Sequence, residues 1–165
     1  MISIWLTPAK VDAAYLQNII NELASVYRTL VFSPHMTLFS PVDTNVKELQ
    51  SVITNVAQKI TPLFVTMSGL NHTNNIWKTV FIELEKSPEL IQLQQKVVSK
   101  IPDPNPYSFL PHISLIYKEM PDEQKEEIIR NLSVRNSYKM DKIIAMRTGP
   151  NVDQWENITE VQLNA

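Results

Sequence analysis

Two short phrases constrain the fold of this chain more than any other feature. "PHMTL" (34–38) and "PHISL" (111–115) follow one pattern: proline, histidine, an apolar residue, a hydroxyl residue, leucine. They lie about half a chain length apart, and they use two of only three histidines. Both read as short strands. Side chains alternate across a strand, so His35, Thr37 and Phe39 share one face, opposite Met36 and Leu38. Likewise His112, Ser114 and Ile116 share a face, opposite Ile113 and Leu115. The apolar alternates belong under helices, and each His–hydroxyl pair then faces away from that core. A fold that satisfies both phrases has two similar halves.

The rest of the pattern supplies those halves. "ISIWLT" (2–7) is apolar and β-rich and reads as a strand. Thr7-Pro8 is read as the opening of a helix, with Val11, Tyr15, Ile19, Leu23 and Val26 on its apolar face. The first motif strand follows at about 35–40. Asn45, with Glu48 three residues on, marks a second helix start. Val46, Leu49, Ile53, Val56 and Ile60 line that helix's inner side. Strands at 62–70 and 76–85 flank the polar loop "NHTNN" and predict a hairpin. Ser87-Pro88-Glu89 opens a third helix, with Leu90, Leu93 and Val97 inward. The proline-rich loop 101–111 leads into the second motif strand, 112–117. Pro121-Asp122-Glu123 opens a fourth helix, acidic where the helix dipole favours it. "YKMDKIIAMRT" and "ENITEVQLN" read as closing strands. The order β-α-β-α-β-β-α-β-α-β-β predicts one α+β domain over 1–165 with two similar lobes.

Composition narrows the partners. The 165 residues carry a net charge of −2, so no broad basic face for long nucleic acid is expected. There is no cysteine, which excludes disulfides, thiolate metal sites and cysteine nucleophiles. The start "MISIWLTPAK" lacks the basic leader and apolar length of a signal peptide. No stretch approaches the roughly 20 apolar residues of a membrane span. The expectation is a cytoplasmic monomer without membrane contact.

If the lobes face each other across a cleft, two imidazoles and two hydroxyls converge on it. That set suits phosphodiester hydrolysis. One imidazole takes a proton from attacking water, and the other protonates the leaving alkoxide. An unperturbed pKa near 6.5 makes both roles available at neutral pH. Thr37 and Ser114 would donate to the non-bridging oxygens, where charge grows in the transition state. The design requires no metal or other cofactor. A single H-x-[ST] strand is weak evidence, because a lone strand histidine is more often a hydrogen-bonded structural residue. Two matched copies weigh against that. Zinc is the rival use of histidine, and His72 has no spacing that completes a ligand set.

The paired motifs resemble the two-histidine (2H) phosphoesterase superfamily. "ISIWLTP", "FSPHMTL", "WKTVFIELEKSPEL", "PYSFLPHISLIYKEMPDEQKEE" and "WENITEVQLN" are similar to its cyclic phosphodiesterase branch over nearly the whole chain. The resemblance implies two pseudosymmetric lobes, each an antiparallel sheet with helices on its outer face, around a central cleft. It implies that His35 and His112 are catalytic and that Thr37 and Ser114 bind phosphate. The implied reactions open nucleoside 2′,3′-cyclic phosphates to 2′-phosphates and ADP-ribose 1″,2″-cyclic phosphate to ADP-ribose 1″-phosphate, small products connected with tRNA splicing. A rival with the same chemistry acts on 2′–5′-linked or cyclic oligonucleotides or RNA ends. A rival from another class binds nucleotides without hydrolysis. The absence of cysteine departs from relatives that carry a disulfide.

Tyr117 matches the tyrosine that closes the family phrase. Strict alternation places it opposite His112, so it reaches the cleft only if the strand ends or bulges there; otherwise it packs in the core. Trp5 sits in a strand resembling the family's first, where core packing competes with stacking on a base. His72 and Thr73, in the hairpin loop, are candidates for ribose or base contact. Lys78, Lys118 and Arg147 are candidates for offsetting phosphate charge, against the commoner case of solvated cations. "DEQKEE" (122–127) reads as a solvated helix face. Loop 101–111 either walls the cleft or merely connects.

Overall fold

The computed structural model describes residues 1–164; Ala165, the last residue of the expected domain, lies outside the described residues. Seven strands and four α-helices alternate in the expected order. They are β1 (Ile2–Pro8), α1 (Lys10–Tyr27), β2 (Met36–Val42), α2 (Val46–Ala57), β3 (Leu63–His72), β4 (Val80–Leu84), α3 (Pro88–Val98), β5 (His112–Ile116), α4 (Asp122–Asn131), β6 (Ser137–Arg147) and β7 (Glu156–Gln162).

All strand pairs are antiparallel, in the order β2-β1-β6-β3-β4-β5, with β7 also on β6. The two expected lobe sheets are joined through β3. Its first residues, Leu63–Thr66, pair with β6, and its later ones, Met67–His72, pair with β4. The motif strands β2 and β5 are the two ends of this path, yet they approach each other in space. The sheet therefore curves round until its ends meet, and that closure brings the two histidine motifs together. α1 packs against both β1 and β5, α2 against β6 and β7, and α3 against β2 and β3.

Local chemistry explains most helix starts. The Asn45 side chain accepts from the Glu48 N–H at 2.9 Å, and Ser87 accepts from the Leu90 N–H at 3.2 Å. Each satisfies an amide that has no partner within the helix. Thr7-Pro8 does not cap α1. Pro8 ends β1, Ala9 occupies the N-cap position without a side-chain bond, and the Thr7 hydroxyl donates to the Lys142 carbonyl. Pairing with β6 carries the strand as far as Pro8, while β2 pairs with it only up to Leu6. The buried stripe of α1 is Leu16, Ile19, Ile20, Leu23 and Ala24, so Val11 and Val26 at its ends are exposed. Residues Ile76–Lys78 form a 3₁₀ turn, and β4 starts only at Val80. In "DEQKEE", Lys125 is buried: its ammonium donates to the Thr73 carbonyl and the Asn74 side chain and pairs with Asp122.

Both motif strands carry the same irregularity. Thr37 stands opposite Trp5, but Ile4 then stands opposite Phe39, so Leu38 is the extra residue of a bulge. In β5, Ser114 stands opposite Phe81 and Ile116 opposite Val80, so Leu115 is the extra residue. A bulge reverses the alternation that follows it. Phe39 and Ile116 are therefore turned into the core, not onto the histidine face, and both are buried. Ser40 and Tyr117, each five residues past a motif histidine, line the cleft instead.

Candidate active site

A cleft of about 550 Å³ opens between the motif strands and is lined by His35, Thr37, His112 and Ser114. Met36, Leu38, Ile113 and Leu115 lie beneath them at 0% exposure. Ser3 and Trp5 of β1 face the same cleft, while Ile4 and Leu6 face the core.

Each histidine is held the same way. His35 Nδ1 lies 2.8 Å from the Ser33 carbonyl and His112 Nδ1 lies 2.6 Å from the Leu110 carbonyl. A carbonyl only accepts, so Nδ1 carries the proton in both rings. That leaves Nε2 of each for a ligand. In both motifs the accepting carbonyl belongs to the peptide bond before proline. Fixed φ at Pro34 and Pro111 restricts its direction, which gives the proline of the repeated phrase a role.

The surroundings of the two rings differ. His35 is 8% exposed. Trp5 stacks on it at 3.6 Å between ring centroids and 13° between planes, with Phe32 and Trp155 edge-on. Burial disfavours the imidazolium and pulls the His35 pKa from 6.5 down to about 4; the Ser33 carbonyl opposes this, and the nearby His112 adds to it. His112 is more open. Burial lowers its pKa as well, opposed by the Leu110 carbonyl; Lys78 lowers it further, and Glu83 opposes.

The hydroxyls also differ. Ser114 donates to the Trp77 carbonyl at 3.1 Å, and the Tyr117 hydroxyl is within bonding reach of Ser114. Thr37 has no such tie. Tyr117 is 4% exposed, stacks on Phe32 at 3.7 Å, and has its phenol held well above the usual range, chiefly by burial. It packs and faces the cleft at once.

Trp5 is likewise buried, at 3% exposure, and contributes to the cleft wall through His35. His72 ends β3 with its ring 3.9 Å from Asp122, and Thr73 donates to the Lys78 carbonyl. Neither borders the cleft. Both help hold the hairpin loop, which α4 grips through Lys125. Of the three candidate cations, Lys118 is tied to the Tyr27 carbonyl and Arg147 pairs with Glu156. Lys78 borders the cleft. Tyr107 brings loop 101–111 into one wall.

The sequence reading missed Trp77 and Trp155. With Trp5 they complete the chain's three tryptophans, and all three line this cleft. Trp155 contacts both others, at 5.4 Å from Trp5 and 5.9 Å from Trp77. Both sit in polar stretches, "NNIWK" and "VDQWEN", and a large aromatic there was the available signal. A larger cavity of about 890 Å³ shares Trp5 and Trp155 with this cleft but is lined by neither motif histidine.

Among the described residues no three His, Asp or Glu side chains stand where one metal ion could bind them. No helix among them is long and apolar enough to cross a membrane.

Comparison with known proteins agrees with this geometry. The family model described as cyclic phosphodiesterase-like protein matches residues 1–163. A Bacillus licheniformis protein named as a phosphoesterase is 23% identical over 128 residues, 74% of this chain and 75% of that one. The Arabidopsis thaliana cyclic phosphodiesterase is 18% identical over 171 residues, 98% and 94% of the two chains. Among solved structures, TT0787 of Thermus thermophilus superposes with a TM-score of 0.66 at 12% identity, over 98% and 97% of the chains. Escherichia coli LigT in its apo form gives 0.63 at 14% identity, over 99% and 97%. With a family model spanning nearly every residue, and with both histidine motifs brought to one cleft, this chain belongs to the cyclic phosphodiesterase-like family.

Proposed function

We propose that the protein is a metal-independent cyclic phosphodiesterase acting on small cyclic phosphates. The substrates are nucleoside 2′,3′-cyclic phosphates, opened to 2′-phosphates, and ADP-ribose 1″,2″-cyclic phosphate, opened to ADP-ribose 1″-phosphate. One observation carries the reading: two imidazoles, each with Nδ1 committed to a carbonyl, present Nε2 to one cleft. No Asp or Glu is among the described residues lining that cleft, although the chain has 17 Asp and Glu residues. An anionic ligand therefore meets no like charge on the cleft wall itself, and Glu83, opposite His112 in the sheet, acts only from behind it.

The chemistry follows from that arrangement. Water attacks phosphorus in line with the leaving ring oxygen. Its proton passes to the neutral Nε2 of one histidine as the new P–O bond forms. The bond from phosphorus to the leaving oxygen breaks, and that oxygen takes the proton from Nε2–H of the other histidine. The histidines end with exchanged protonation states, which solvent restores. Hydroxyls of Thr37 and Ser114 steady the non-bridging oxygens. Flat apolar surface from Trp77 and Trp155 suits a nucleobase.

The test is a panel of 2′,3′-cyclic nucleotides and ADP-ribose cyclic phosphate, after exhaustive chelation, with product analysis. Turnover to a 2′-phosphate is the expected result. Activity that appears only when a divalent metal is added back would refute the metal-free mechanism. Tight binding without turnover would make the protein a nucleotide-binding module.

A further inference from the structure

We infer that Lys78 is a further substrate-binding residue of this cleft, contacting phosphate oxygens on the His112 side. The proposal rests on the phosphodiester reading above. Lys78 is the one cationic side chain among the described residues that line the cleft. Its ammonium lies over the Phe81 ring, 4.4 Å from the centroid. Phe81 in turn stands opposite Ser114 in the sheet and packs edge-on against His112, with centroids 5.4 Å apart. Lys78, Phe81, Ser114 and His112 therefore share one wall.

That wall needs a charge more than the opposite one does. Among the described residues the Thr37 hydroxyl has no bonded partner, whereas Ser114 already donates to the Trp77 carbonyl. A substrate oxygen on this side competes with a bond already made. An ammonium from the next residue along, Lys78, meets the phosphate without that cost. Its position is also built. The 3₁₀ turn Ile76–Lys78 is capped by Asn75, whose side chain accepts from the Trp77 N–H at 2.9 Å. The Lys78 carbonyl takes a bond from the Thr73 hydroxyl. Thr79 donates to the Lys118 carbonyl at 2.9 Å. Buried Lys125 fixes the preceding loop through the Thr73 carbonyl, at 3.0 Å, and the Asn74 side chain, at 2.6 Å. The Lys78 ammonium lies over the π face of Phe81; Glu83 acts on it from farther off, and among the described residues no carboxylate forms an ion pair with it.

The test uses inorganic phosphate as the probe, by calorimetry or by phosphorus NMR, alongside turnover of a 2′,3′-cyclic nucleotide. Lys78→Met should weaken phosphate binding roughly tenfold or more, the scale of a charge-assisted hydrogen bond. Lys78→Arg should stay within about threefold of wild type, because it keeps the charge. Lys142→Met, which removes an equal charge paired with Glu160 away from the cleft, should leave binding unchanged. Phosphate affinity in Lys78→Met within about twofold of wild type overturns the proposal, as does a wild type that binds no phosphate. An equal loss in Lys142→Met overturns it too, since net charge alone would then explain the effect. Turnover separates this from the parent reading. A wild type that binds phosphate through Lys78 but hydrolyses nothing refutes the enzyme and leaves the site standing.

Discussion

Trp5 covers one face of His35, with the rings nearly parallel and 3.6 Å apart. That face of the indole is therefore closed to a substrate base, and on the proposed mechanism Trp5 acts through the histidine it orients. A Trp→Ala change in a core position costs about 3–5 kcal/mol, so the informative variants keep an aromatic ring. Trp5→Phe should stay folded and active within about tenfold. Trp5→Leu should lower kcat by roughly 10²-fold, as misplaced reacting groups do, with a smaller change in KM. A rise in KM alone in Trp5→Leu would instead assign Trp5 to the substrate base.

The two hydroxyls should prove unequal. Thr37 stands free in the cleft, so losing it removes a charge-assisted bond of about 1.5–3 kcal/mol. Thr37→Ala should slow kcat/KM by roughly tenfold to a hundredfold, and Thr37→Ser should be tolerated. Ser114 must give up its bond to the Trp77 carbonyl before it serves a phosphate. Its net gain is smaller, and Ser114→Ala should cost less than Thr37→Ala. Steady-state kinetics of the three variants on one cyclic nucleotide decide this, and equal losses would show that the Trp77 bond does not compete.

Much of this was legible because it is local. The caps at Asn45 and Ser87 depend on side chains three residues apart, and the His–hydroxyl faces depend on alternation within a strand. The bulges at Leu38 and Leu115 were not legible, since a bulge belongs to a pairing of two strands and not to either one. They decide that Phe39 and Ile116 leave the histidine face and that Tyr117 joins it. Lys125 was misread for a similar reason. Its neighbours in sequence are charged and solvated, but the Thr73–Asn74 loop that surrounds its ammonium lies far away along the chain. Trp155 has no periodic context, and only folding shows that it meets Trp5 and Trp77.

Burial of His35 should also mark the stability of the fold. Its pKa falls from 6.5 to about 4 on folding. Between those values the unfolded chain binds a proton that the folded chain refuses. Stability therefore declines as pH drops through that window, by up to about 3 kcal/mol from this one group. Below pH 4 the folded protein takes the proton too, and this contribution flattens. His35→Gln lacks the group, so its unfolding free energy should fall less steeply from pH 7 to pH 4. Denaturant titrations of both proteins across that range give the comparison. Parallel curves would mean that His35 is protonated in the folded protein at ordinary values.

On the proposed mechanism, the same asymmetry favours one division of roles between the histidines, a point on which the sequence is silent because the two motifs are so alike. The base must be neutral when water attacks, and the acid must be protonated. His35, buried under Trp5 and held near pKa 4, stays neutral over nearly the whole physiological range. We therefore assign it as base and His112, the more open ring, as acid. In kcat/KM, which reports the free enzyme, the acidic limb should lie well below 6.5, where His35 becomes protonated. The alkaline limb should follow His112, whose pKa is also lowered. A bound phosphate favours both imidazolium forms, so the limbs of kcat should move to higher pH than those of kcat/KM. His35→Gln should lose the acidic limb and His112→Gln the alkaline one, each with a rate loss of about 10²–10⁴. A substrate whose leaving oxygen is a weak base needs no proton, so it should restore much of the rate to His112→Gln and little to His35→Gln. The reverse pattern of rescue would exchange the roles, and full activity in either folded variant would remove that histidine from the mechanism.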